Sequence, residues 1–302
     1  MRNAFPTLVA FCLVAVAPAH AQQDFSAVEI QTQQVAPGVY MLIGSGGNIG
    51  VSVGEDGVFL IDDQYAPLTD KIVAALARIT PAPVRFVFNT HWHGDHTGGN
   101  ENLGGRGALI VAHENVRVRM GVDQVLERIG RPQATTPASP DIALPVVTFT
   151  EDLQFHLNGD ELHAFHVENA HTDGDAIMYF SRANVVHMGD TFVRYGFPFI
   201  DTATGGTIDG MIAAMDATLQ VIDVNTKIIP GHGALATHAD LVAYRDALRT
   251  MRRLVAELIL EGHPPEHIIE FRPLQSQAEA WGQDQAQERV FVETIYAGIT
   301  AP

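Results

Sequence analysis

The chain of 302 residues carries 18 basic against 35 acidic side chains, a formal charge of −17; it would repel a phosphate backbone, which argues against nucleic acid as a partner. Its single cysteine, Cys12, lies in the opening apolar stretch. The rest of the chain has no thiol or disulfide to draw on, so a true core or a metal has to hold it together.

The opening residues, MRNAFPTLVAFCLVAVAPAHAQQ, run from a short basic start through an apolar stretch to the small-residue site Ala19-His20-Ala21. This order predicts a signal peptide over residues 1–21, cut after Ala21, and a periplasmic or secreted protein. The apolar stretch is too short and wrongly flanked for a stable membrane span. After it, GVYMLIG, NIGVSVGEDG and VFLIDDQ are short β-branched and aromatic runs separated by glycines, the pattern of an antiparallel meander. APLTDKIVAALARI has apolar residues at helical spacing behind Pro67, with Thr69 as the expected cap. VRFVFNT reads as a buried strand, and NTHWHGDHTGGN follows at its end.

The second half repeats this style. LPVVTFT, DLQFHLN, ELHAFHVEN, AIMYFSR and VVHMGDT read as strands, IDGMIAAMDATLQVI as a helix, KIIPG as a short strand, and His238 to about Gly262 as the longest helix. Strands in series, interrupted and followed by helices, predict an α/β fold of two packed sheets with helices outside. No linker or change of composition divides residues 22–302, which are expected to form one domain. GRPQATTPASPDIALP is the most loop-like stretch and is expected to be a mobile flap over the site.

His91, His93, Asp95 and His96 fall within six positions. His91 and His93, two apart on an extended loop, can point into one space, while Asp95 and His96 project differently and can serve a neighbouring ion. That arrangement suits two metals a few ångströms apart. Further donors stand at strand ends beside glycines that allow sharp turns: His171 in ENAHTDGD, Asp190 in HMGDTF and His232 in IIPGHGAL.

HWHGDH followed by His171, Asp190 in a Gly-Asp pair and His232 in PGHG resembles the five-motif signature of the metallo-β-lactamase superfamily, over about Val39 to Gly233. The resemblance implies a four-layer αβ/βα sandwich with the metals at one edge between two mainly antiparallel sheets. By position, His91, His93 and His171 would hold a first zinc, Asp95, His96 and His232 a second, and Asp190 would bridge them. It also implies that Asp62 in LIDD supports the metal loop without being a ligand. The first β-lactamase subclass has a cysteine where this chain has Asp190, and the aspartate is similar to glyoxalase II, lactonases and RNase Z. Two Zn²⁺ suit the donors, with Fe or Mn as the alternatives that an oxygen bridge admits. The oxygen-reducing diiron branch typically has Glu at the position of His93, so histidine there favours zinc and hydrolysis.

These residues imply an exported di-zinc hydrolase of a small-molecule amide or ester, with β-lactamase activity expected and a lactonase or glyoxalase II-like thioesterase as the alternative. Asp95 would orient the attacking water and carry a proton to the leaving group. Arg194 is a candidate for meeting a substrate carboxylate; Trp92 is expected to pack behind the loop, with substrate contact as the other reading. His156, His163, His166 and His187 read as buried rings with ordinary partners, and His113 as a helix cap or surface group. Tyr195, Phe197 and Phe199 read equally as core or as an apolar wall.

Overall fold

The structure, a computed structural model, describes residues 24–126 and 134–300. The predicted signal peptide, Cys12 and the beginning of the proline-rich stretch lie outside those residues. The chain enters as a meander of β1 (Gln31–Ala36), β2 (Val39–Ile43), β3 (Ile49–Gly54) and β4 (Gly57–Ile61), each antiparallel to the next. All five residues of β4 are buried, as a strand covered on both faces requires.

Helix α1 (Thr69–Leu76) crosses over to β5 (Val84–Asn89), which runs parallel to β4. Thr69 is not the cap that the sequence suggested. A 3₁₀ turn at Ala66–Leu68 already leads into the helix, so the Thr69 hydroxyl donates back to Ala66 O at 3.0 Å. The chain continues through α2 (Gly94–Thr97), α3 (Asn100–Gly104), β6 (Leu109–His113), α4 (Glu114–Met120) and a small hairpin of β7 (Gln124–Leu126) and β8 (Ala134–Thr136). β9 (Val147–Phe149) then closes the first sheet, whose order is β1-β2-β3-β4-β5-β6-β9.

The second sheet runs in chain order through β10 (Asp152–Leu157), β11 (Asp160–His166), β12 (Ala176–Phe180), β13 (Val185–His187), β14 (Lys227–Ile229) and β15 (Ala236–Thr237). Between β13 and β14 the chain passes through α5 (Ile208–Val221), capped by the Thr207 side chain, and the two strands are parallel. Helices α6 (His238–Leu260), α7 (Pro265–Phe271), α8 (Gln275–Ala280) and α9 (Gln285–Thr300) complete the described chain. α6 opens with a capping box between Thr237 and Asp240.

Three apolar clusters make the layers. The central one joins the sheets, with Phe59, Phe88, Val111 and Phe149 from the first meeting Leu162, Ala164, Met178 and Phe180 from the second. α1 covers the outer face of the first sheet through Ile72 and Leu76. α5, α6 and α9 cover the second through Met211, Met215, Leu248, Met251 and Phe291. This is the αβ/βα sandwich that the resemblance implied. His156 is exposed and His163 half-buried, against the expectation of buried rings: β10 is an edge strand with one row facing solvent, and the sheet's outer face is only partly covered at β11.

Phe59 sits at the centre of the sandwich, 4.9 Å from the Phe155 ring and 5.9 Å from Phe86. Phe59→Ala should cost about 3–5 kcal/mol through lost transfer energy and the cavity left behind, which urea unfolding followed by circular dichroism would measure.

Candidate metal centre

All the predicted donors meet at one edge of the sandwich. The loop after β5 supplies His91, His93, Asp95 and His96; His171 precedes β12, Asp190 follows β13 and His232 follows β14. Three sets of ligand atoms converge: His91, His93 and His171; His91, His96 and Asp190; Asp95, His96 and His232. In the first, His93 Nδ1 lies 3.2 Å from His91 Nε2 and 2.9 Å from His171 Nε2. In the last, His232 Nε2 lies 3.4 Å from His96 Nε2 and 3.2 Å from Asp95 Oδ2.

Asp190 stands between the two. Its Oδ1 is 3.3 Å from His96 Nε2 and 3.4 Å from His232 Nε2, and its Oδ2 is 3.8 Å from His171 Nε2. Oδ1 is buried without a hydrogen bond of ordinary geometry, a state that costs free energy unless a cation faces it. The donors therefore fit a pair of cations on their own chemistry.

The far nitrogens of the imidazoles are held as well. His96 Nδ1 meets Asp62 Oδ2 at 2.7 Å, His171 Nδ1 meets Phe199 O at 2.7 Å, His93 Nε2 meets Asp201 Oδ2 at 3.0 Å and His91 Nδ1 meets Thr90 Oγ1 at 3.0 Å. Asp62 also accepts from Thr90 N and Thr90 Oγ1, both at 2.8 Å, so one buried carboxylate ties the loop's start to a ligand. It does so at φ +64°, a left-handed conformation that aspartate tolerates better than most residues. Gln64, at φ +59°, lacks that tolerance and is fixed by its Nε2 donating to Gly47 O at 2.7 Å.

The site's electrostatics are divided. Burial, reinforced by the charge of His93, pushes His171 down to about 4, and burial drives His91 well below its ordinary value. Both offer neutral lone pairs at pH 7, as metal ligation needs. Burial also opposes charge on His232, but Asp190 and Asp95 outweigh it and hold the ring at about 9; the same carboxylates, with Asp62, keep His96 well above its usual range. A cation bound among those carboxylates takes the place of the protons.

Asp201 and Asp175 gave no signal in the sequence, and Phe199, which read equally as core or as an apolar wall, packs beside two ligands. Asp201 is buried, receives His93 on its side chain and donates its backbone N–H to His171 O at 2.9 Å. Asp175 accepts from His171 N, Thr172 N and Thr172 Oγ1 at 2.6–2.8 Å. The Phe199 ring lies 5.8 Å from His93 and 5.7 Å from His171. Nothing in DTATGG or TDGD distinguishes these aspartates from ordinary turn residues.

Trp92 is 3 % exposed and packs behind the loop with Ala112, Val116 and Met120, its ring 4.7 Å from His93. The structure thus favours packing over substrate contact. Arg194 does not reach toward the donors: its guanidinium donates to Leu235 O at 2.9 Å and pairs with Asp240 at 3.5 Å. Phe197 is core, whereas Tyr195 is exposed. His187 has its ordinary partners, Asn48 O and Gly189 N. His113 caps α4 and stacks on His166 at 3.8 Å, a pairing the sequence did not announce.

A family model described as the metallo-beta-lactamase superfamily matches residues 42–263. The chain belongs to that superfamily. A hydroxyacylglutathione hydrolase from Nitrosococcus oceani is 26% identical over 168 residues, 55% of each protein, so the chain spans about half the length of this curated relative. A metallo-beta-lactamase from Pontibacter korlensis superposes with a TM-score of 0.59 at 17% identity, covering 73% of this chain and 99% of that one. The sec-alkylsulfatase Pisa1 from Pseudomonas sp. superposes with a TM-score of 0.63 at 16% identity, covering 89% of this chain and 50% of that one. These solved structures establish the shared metallo-β-lactamase fold.

Two substitutions probe how the superfamily site is built here. Asp201→Ala should lower metal affinity at the His91, His93 and His171 set by about 10- to 100-fold, the usual cost of losing a ligand's supporting carboxylate, as a competitive chelator titration would show. A Cβ on Gly231 would lie 2.0 Å from Asp190 Oδ1 and 2.6 Å from the Gly189 backbone. Gly231→Ala should therefore displace Asp190 and reduce the bound metal, measured by elemental analysis of a folded sample.

Proposed function

We propose that the chain is an exported di-zinc hydrolase that opens an amide or ester bond in a small molecule, with β-lactams as the leading candidate. The observation that carries the hydrolytic reading is Asp190, a buried carboxylate whose two oxygens face the two donor sets and whose Oδ1 lacks a hydrogen bond of ordinary geometry. His91, His93 and His171 would hold one zinc and Asp95, His96 and His232 the other, with Asp190 placed between the two sets. Bound zinc supplies Lewis acidity that activates water near neutral pH and polarises a carbonyl.

The chain's own groups do the rest. Asp95 is the most open of the carboxylates, its side chain 23% exposed and Oδ2 3.2 Å from His232 Nε2. It orients the attacking water, takes its proton and delivers that proton to the leaving group. Asp62 and Asp201 keep two rings from turning as charge develops, and Phe199 packs its ring beside His93 and His171. Export rests on the order of residues 1–21, and it would bring the enzyme to β-lactams outside the cytoplasmic membrane. No helix among the described residues is long and apolar enough to cross a membrane.

A second reading, thioester or lactone hydrolysis, is favoured by the aspartate bridge and by the hydroxyacylglutathione hydrolase relative. One assay separates the two. Zinc-loaded protein is offered a chromogenic cephalosporin and an acyl thioester, each with and without chelator. Chelator-sensitive cephalosporin turnover is the expected result; turnover of the thioester alone would move the assignment to the second reading. Elemental analysis should give two zinc ions per chain, and iron in their place would sink the zinc assignment. In either assay Asp190→Ala should reduce turnover to the uncatalysed background, whereas unaltered turnover would remove Asp190 from the centre.

A further inference from the structure

A groove of about 460 Å³ opens beside the metal centre, lined by Phe192, Arg194, Tyr195, Asp240, Tyr244 and Trp281. Its size is that of a small-molecule site, roughly 300–1,000 Å³. Tyr195 belongs to both places: it lines the groove, and its ring meets His232 nearly edge-on at 5.7 Å. The segment that lines the groove is paired to the backbone that carries His232: Val193 bridges to it in parallel and Arg194 N donates to His232 O at 2.9 Å. Trp281 comes from the turn after α8, beyond residue 263 where the superfamily match ends. The helices that follow the matched region thus supply part of this wall.

The wall is aromatic. Trp281 stacks on Tyr244 at 5.4 Å and 2°, and Tyr244 meets Phe192 edge-on at 5.0 Å. Tyr195, 47% exposed, adds its ring to that wall. The charges on the rim are already committed. Arg194 pairs with Asp240, whose other oxygen accepts from Thr237 N and Thr237 Oγ1 at 2.8 and 2.7 Å. A substrate carboxylate would have to break that pair, whereas a neutral ring would not. The geometry points to this groove as the subsite for a planar, uncharged aromatic group of the substrate, with Tyr195 and Trp281 as specificity-determining residues. The role in turnover rests on the hydrolase reading; the binding does not.

Binding is therefore tested directly. Phenylacetamide and acetamide are titrated into the zinc-loaded protein and followed by saturation-transfer NMR. Phenylacetamide should bind and acetamide should not. Tyr195→Ala should weaken the ring's binding by about 2- to 12-fold, the worth of one aromatic contact. Ala243→Phe, at an exposed α6 residue on the groove's lip, should block it, and chelator should leave it intact. Binding unchanged in both variants, with their circular dichroism preserved, would overturn the subsite. So would binding lost on chelation, which would put the ring on the metal donors. If phenylacetamide binds as expected but no acyl substrate is turned over, the subsite stands and the hydrolase reading falls. Where turnover is present, the preference in kcat/KM for an aryl-bearing over a methyl-bearing substrate should shrink in both variants.

Discussion

The structure depends on keeping five imidazoles and two carboxylates buried or half-buried within a few ångströms of one another. Burial alone drives such groups to their neutral forms and sets like groups against each other. The sandwich meets this by fixing orientation from behind. Asp62, Asp201, Thr90 and the carbonyl of Phe199 each take the nitrogen of a ring that faces away from the centre. The front nitrogens are then free to converge, and the remaining electrostatic demand is one that only a cation meets fully.

The fold supplies those partners because several strands end at the same edge. β4, β5, β13 and β14 carry Asp62, the histidine loop, Asp190 and His232 at their C-terminal ends, and parallel pairing within β4–β5 and β13–β14 brings those ends level. Close backbone approaches complete the convergence. A Cβ on Gly47 would lie 2.2 Å from His96 Cε1, and Asn48, buried beside it, donates to Pro230 O and Gly233 O at 2.9 and 2.8 Å. The turn between β2 and β3 thereby holds the PGHG turn from the other sheet. The sandwich is cross-linked at the site by hydrogen bonds rather than by covalent bonds.

What was legible in the sequence follows from this. The ligands stood out because six-residue crowding of histidine and aspartate has no cheaper explanation, and the first strands stood out as β-branched and aromatic runs bounded by glycines. The supporting residues were silent. Asp201 and Asp175 sit in turns where aspartate is common for local reasons, and only the fold shows that their carboxylates face ligands. Arg194 was a candidate for a substrate carboxylate by its spacing from Asp190, and only the fold shows the partners its guanidinium has, Leu235 O and Asp240 at the start of α6. α7 and α8 left no mark comparable to α6, because they run for only seven and six residues between short turns.

Those last helices separate chemistry from selection. The metal centre is drawn entirely from residues within the superfamily match, whereas Trp281 and Gln283 come from outside it. They grip the segment after Asp190: Gln283 Nε2 donates to Tyr195 O at 3.4 Å, and Phe197 lies stacked on Phe291 at 4.7 Å with Trp281 5.7 Å away. The same segment continues to Phe199 and Asp201, which hold His171 and His93. One strap therefore shapes the groove with its first half and steadies the first donor set with its second. Changes in the C-terminal helices can retune which substrates fit without altering a ligand, but only while Phe197 stays seated, because its displacement would carry into the metal centre.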